Sequence, residues 1–256
     1  MPHENEYIGT CQLCLKKKPM QKKCHILPSF FHKTLDEEGG RGGIVVNGRW
    51  KRTQDHFYAT HIYCHDCENN IFNKYGENPV SNEYRKNSKP CFDTQNPIMH
   101  LAVSICFRTA HCFQNLHPEF DLSGPIRHWR RLLLNGGKTS LLLYRAGCLT
   151  YDSRGELPYW QSVARDIMFF DLVEHYGMQL IIANVPGMVF FGIVGNKGYV
   201  EINTLLDNDR ETAKMIASVV EDKVKEYIDK LPTSPPKWQA ISQPAPWLQP
   251  YNPRPF

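Results

Sequence analysis

The sequence predicts an α+β protein: a small zinc-bound N-terminal domain, then a C-terminal α+β domain in which an antiparallel meander is flanked by helices. Three observations predict it. Two Cys-x-x-Cys pairs, Cys11-Gln-Leu-Cys14 and Cys64-His-Asp-Cys67, lie in the first third of the chain. Apolar runs between 178 and 202 are separated by turn residues, the pattern of neighbouring antiparallel strands. Apolar positions recur every three or four residues over 98–113 and again over 207–230, the spacing of one helical face.

With 256 residues, the chain is long enough for two small domains. Residues 1–75 form the zinc-binding domain in this reading, 76–97 a linker, 98–231 the α+β domain and 232–256 a proline-rich extended tail. The first domain reads as loops and short strands around metal ligands. Its glycine-rich stretch 38–44 is a connection and not a phosphate-binding loop, because no Gly-Lys-Ser/Thr follows it. Ile44, Val45 and Val46 then suggest a strand entering a turn at Asn47-Gly48, and 57–64 a strand leading into the second cysteine pair. Ile71 and Phe72 begin a short helix. The linker is predicted by Gly76, Pro79, Pro90 and Pro97 among polar neighbours.

In the C-terminal part, Ile98, Leu101, Ala102, Ile105 and Cys106 mark a helix. Ser123 followed by Pro125 predicts a second one, with the serine hydroxyl capping free amides, and Gly136-Gly137 stops it. Strands are expected at 178–183, 188–194 and 199–202, joined by 184–187 and 195–198. Ile216, Val219, Val220, Val224, Tyr227 and Ile228 are the expected buried stripe of the last helix. In the run Arg127-His128-Trp129-Arg130-Arg131, two readings stand: guanidinium groups gripping a backbone beside an indole, or a helix with Trp129 in the core and arginines in water.

An apolar fraction of 41% supports a real core, and no run of eighteen apolar residues or secretory leader occurs. A cytoplasmic protein with no membrane association is the expectation. Nine cysteines without an export signal argue for reduced thiols and metal ligation over disulfides, with Cys91, Cys106, Cys112 and Cys148 read as small buried hydrophobes. The net charge is +4, and all the basic excess falls within residues 1–90. Its densest part, Lys16, Lys17, Lys18, Lys22 and Lys23, suits a surface facing nucleic-acid phosphates, although a solvated lysine loop fits the charge equally.

Two Cys-x-x-Cys turns supply four thiolates, the tetrahedral sulfur shell that a structural zinc ion prefers. Between and after them lie Cys24-His25-Ile26-Leu27-Pro28 and, directly behind Cys67, Glu68-Asn69-Asn70. Over residues 9–75 this order resembles the zinc-stapled branch of the HNH nucleases, whose frame is a treble-clef or ββα-metal fold. The resemblance implies that Cys11, Cys14, Cys64 and Cys67 hold structural zinc, that His25 is a general base, and that Glu68 ligates a catalytic Mg2+ or Mn2+ ion between strand and helix. The family's Asp position is Cys24 here, and its middle Asn position falls on Ala59, with Asp55, His56 and His61 close in sequence.

The function so implied is metal-dependent hydrolysis of DNA or RNA, in a setting of bacterial or phage defence. The alternative is a catalytically inactive zinc-stapled module that binds nucleic acid or protein. In either case the C-terminal domain is left to recognise a substrate or protein partner. From the residues alone, His25 could equally hydrogen-bond its loop or join the zinc shell with Cys24. Glu68 could equally be an exposed first-turn carboxylate favoured by the helix dipole.

Overall fold

Strands in the N-terminal part are short because cysteine turns and prolines, not long apolar runs, direct the chain. The computed structural model describes residues 7–37, 43–46, 49–52, 58–86, 95–116, 118–135, 146–150, 168–175, 178–196 and 209–230. β1 (Ile8–Thr10) pairs antiparallel with β2 (Lys17–Pro19), so that Thr10 faces Lys17 and the first cysteine pair occupies the connecting turn. β3 (Cys24–His25) is followed by α1 (Ser29–Glu37) and by β4 (Gly43–Val46), the strand expected over 44–46, which pairs antiparallel with β5 (Arg49–Arg52), Val46 opposite Arg49. β6 (Tyr58–Ala59) returns to β3, placing Cys24 opposite Ala59 and His25 opposite Tyr58. The predicted strand over 57–64 therefore shrinks to two residues plus an isolated bridge between Met20 and Cys64.

A continuous helical rod starts at the second cysteine pair, earlier than Ile71. It consists of α2 (His65–Cys67), a π-helical segment (Glu68–Glu77) and α3 (Asn78–Lys86). Residues 78–86 are thus helix, which corrects the reading of 76–97 as a linker: Val80 is buried and Tyr84 donates a hydrogen bond to the Pro186 carbonyl at 2.8 Å. Polar composition misled because only one side of this helix meets the core. Residues 87–94 lie outside the described set.

α4 (Gln95–Leu116) is buried all round, with every residue from Leu101 to Phe113 inside. That is the position of a central helix with packing on every side. The rod lies close against it, since a Cβ on Gly76 would come within 3.1 Å of His100 Cδ2 and 3.3 Å of the Leu101 backbone. α5 (Ser123–Leu134) starts where expected, but the backbone N–H of Ser123 is held by the Asp121 carboxylate at 3.0 Å; no side chain of its N-cap residue, Leu122, caps it.

The sheet contains β7 (Ala146–Thr150), β8 (Phe169–His175), β9 (Met178–Val185) and β10 (Met188–Asn196), antiparallel in the order β7-β10-β9-β8. β9 and β10 were expected, with their turn tightened to Pro186-Gly187, where Gly187 takes a φ of 76°. β7 and β8 were not, and the expected strand 199–202 lies outside the described residues, as does the tail 232–256. Along β9, Ile181 and Ala183 join the core shared with α4, whereas Leu180 and Ile182 join a second core under α6 (Asp209–Lys230), with Ile216, Val219, Val220 and Val224. Period-two alternation is thus apolar on both faces because helices cover both. The first core is continuous from Cys11 and Leu13, through α4, to Phe190 and Val194.

Candidate metal centre and the buried cluster beside it

The β1–β2 turn and the start of the helical rod bring the four predicted cysteines together. Their sulfur atoms all lie within 4.8 Å of one another, and Cys14 Sγ is 3.9 Å from Cys64 Sγ. Zinc–thiolate bonds of about 2.3 Å in a tetrahedron put sulfurs about 3.8 Å apart, so this group can hold a structural zinc ion. Backbone bonds set the geometry: Cys11 N–H to the Lys16 carbonyl at 3.0 Å, Gln12 N–H to the Ile62 carbonyl at 2.9 Å, and Cys64 N–H to Cys11 Sγ at 3.3 Å. A hydrogen bond from Cys67 lowers the Cys11 thiol to about 4, and backbone donors add to this against the opposing effect of burial. That favours a thiolate on Cys11, the form that binds metal, while its hydrogen bond with Cys11 pushes the Cys67 thiol up and burial pushes Cys64 up.

Glu68 follows Cys67 but is not an exposed first-turn carboxylate. It is buried, and the Arg108 guanidinium of α4 lies 4.0 Å from its Oε1. The same Arg108 Nη2 donates to Glu77 Oε1 at 2.6 Å, its Nη1 donates to the His25 carbonyl at 2.7 Å, and its guanidinium carbon stands 4.1 Å from the centre of the Phe72 ring. One buried cation thus gathers the strand residue His25 and both ends of the π-helical segment. Burial opposes the guanidinium charge, but Glu77 and Glu68 more than offset it and raise Arg108 above its ordinary value. Burial also raises Glu68 to about 7, with Arg108 opposing and Glu77 reinforcing that rise. Among the described residues Glu68 Oε2 and Arg108 Nε have no hydrogen-bond partner.

The π winding is what allows two carboxylates to reach one guanidinium. Glu68 and Glu77 are separated by about two and a half turns of ordinary α-helix, which would point them to opposite sides. The wider π turn, closed by the Asn78 N–H on the Asn73 carbonyl, returns Glu68, Phe72, Gly76 and Glu77 to one buried face.

Cys24 is buried outside the four-sulfur cluster and its thiol approaches the carbonyls of Gln21 and Tyr63 at 3.7 and 4.0 Å. Burial pushes that thiol up to about 12, so it is neutral at ordinary pH. His25 is half-buried beside it, and His61 instead packs on Tyr7 with ring centres 4.5 Å apart, its φ at 54°. Asp55 and His56 lie outside the described residues. Of the lysines, Lys16, Lys17, Lys22 and Lys23 are exposed, while Lys18 pairs with Asp66 at 2.5 Å.

Sequence reasoning missed Arg108 and Glu77. The available signal was a lone arginine inside the apolar run of α4, since a fully buried arginine requires a carboxylate partner. No helix among the described residues is long and apolar enough to cross a membrane. Comparison of the chain with protein families, with curated proteins and with solved structures finds no match.

Proposed function

We propose that this chain is a zinc-stapled nucleic-acid-binding module, built on a frame that resembles the HNH nucleases but is inactive as a metal-dependent hydrolase. The observation that carries this reading is the place of Arg108. In that family a catalytic divalent ion lies between the strand that bears the base and the helix behind the second cysteine pair. Here the guanidinium of Arg108 spans that gap, bonded to the His25 carbonyl and 4.0 Å from Glu68.

The donor set does not fit a hard ion. Cys24 stands in the carboxylate position and is a neutral thiol bound toward backbone carbonyls, a soft group that Mg2+ does not choose. Glu68 is turned into the core beside a fixed positive charge, which would repel an incoming cation. The exposed lysines on and after β2 support a phosphate-facing surface. One feature favours the nuclease reading: β3, β6 and the helical rod reproduce the order of its frame, with His25 half-buried at the end of β3.

Purified zinc-loaded protein incubated with DNA and RNA in Mg2+ or Mn2+ tests the two readings together. The expected outcome is binding that weakens steeply with salt and no cleavage. Cleavage that disappears in His25→Ala, with zinc content and folding unchanged, would restore the nuclease.

A further inference from the structure

The arginines of α5 were a separate motif in the sequence, far from the lysines of β2. In the fold they meet. Arg130 Nε donates to the carbonyl of Gln12, inside the first cysteine turn, at 3.1 Å. The neighbouring Cys11 N–H is bonded to the carbonyl of Lys16, which opens the lysine run. The basic face of α5 and the basic strand β2 therefore adjoin at the zinc turn.

α5 separates its residues cleanly. Ile126, Trp129, Leu132 and Leu133 are buried in the core, which settles Trp129 as a packing residue, whereas Arg127 and Arg131 are exposed and Arg130 is partly buried. Arg130 and Arg131 stand three and four positions after Arg127, so each repels Arg127 along one helix face. Of the acidic groups nearby, Asp121 holds the Ser123 N–H and is also lowered by the charge of Arg127, and Asp66 pairs with Lys18. Among the described residues, Arg130 and Arg131 form no ion pair with a carboxylate. Partial burial lowers Arg130 below the usual arginine value against the opposing effect of Tyr63 and Cys11, and Arg127 adds to the lowering.

Resting on the nucleic-acid reading above, we propose that Arg127, Arg130 and Arg131 continue the lysine strand into one phosphate-binding face, with the cysteine turn at its centre. A partly buried guanidinium with no carboxylate partner among the described residues is open to an anion from outside the chain. The planar fork of arginine suits a phosphodiester, and Arg130 is already oriented for it by the bond to Gln12. The partner that fits a row of such groups spread over strand, turn and helix is the sugar-phosphate backbone of a nucleic acid, bound without regard to sequence.

The test compares two double variants of the full zinc-loaded chain, Lys16→Ala/Lys17→Ala and Arg127→Ala/Arg131→Ala, by anisotropy of a labelled mixed-sequence DNA duplex over a range of KCl concentrations. All four side chains are exposed, so zinc content and melting temperature should match the wild type. Each pair should make the slope of log affinity against log salt shallower by about two. A lysine variant that loses affinity beside an arginine variant with the wild-type slope would confine the face to β2 and overturn this inference while leaving the binding reading intact. A wild type that does not bind the duplex even at low salt would overturn both.

Discussion

Cys67 and Glu68 are neighbours in sequence, yet they belong to two cation-holding centres of opposite design. Cys67 completes four thiols that converge on a point with no positive charge of their own. Glu68 turns the other way, into a cluster whose cation, Arg108, is covalently part of the fold. The first centre is suited to a soft metal taken from solution; the second already holds a cation of its own. Adjacent residues therefore tell different stories, and a motif that runs through both positions does not transfer as a unit.

The largest effect should come from breaking the first centre. Cys64→Ser removes one ligand, and since structural zinc sites contribute on the order of 10 kcal/mol of apparent binding free energy, the variant should lose its zinc. The cysteines share one core with α4 and the sheet, so circular dichroism should show the whole described fold losing cooperativity, not the N-terminal turn alone. A zinc-free variant that unfolds as sharply as the wild type would show that the centre is dispensable.

A smaller effect should follow from Arg108→Ala. It leaves Glu77 and Glu68 buried without their cation, a loss of about 3–5 kcal/mol by denaturant titration, with zinc content retained if the two centres are independent. Zinc lost together with Arg108 would show instead that they act as one.

The smallest effect concerns His111, which is buried and whose Nε2 has no hydrogen-bond partner among the described residues. Burial, with Arg130 adding to it, pushes His111 down to about 3. The unfolded chain takes up a proton there below about pH 6.5 while the folded chain does not until about pH 3, so acid favours unfolding in that window and nothing is lost above it. Between pH 6.5 and 5 the wild type should lose about 2 kcal/mol more than His111→Gln, measured by denaturant titration at each pH. Equal losses would place a proton-accepting partner at His111.

What was legible in the sequence had local cause. Cys-x-x-Cys turns need only a few residues to declare themselves, and β9 and β10 alternate between turns that the chain encodes beside them. β8 was illegible because Asp171 and Glu174 interrupt its apolar pattern; Asp171 is matched at 2.9 Å by Lys223 of α6, distant in sequence. Glu68 was legible as a residue of interest but not as a buried one, since its partner lies on α4. Arg108 looked like one polar residue in an apolar helix until Glu77, hidden in a polar stretch read as linker, supplied its charge.

The π-helical segment also constrains how this chain can vary. Its wider turn is what returns Glu77 to the side of Glu68, so the number of residues between them matters more than their identity. Removing one residue from the exposed side of this stretch, for example Lys74, would, at unchanged winding, turn every later residue back by one residue's rotation about the axis, a little less than the roughly 100° of an α-helix. Glu77 would leave Arg108, and Gly76 would no longer be the residue pressed against Leu101. Substitutions at Asn69, Lys74 or Tyr75 should be borne easily by comparison, which makes this stretch one where length is held more tightly than composition.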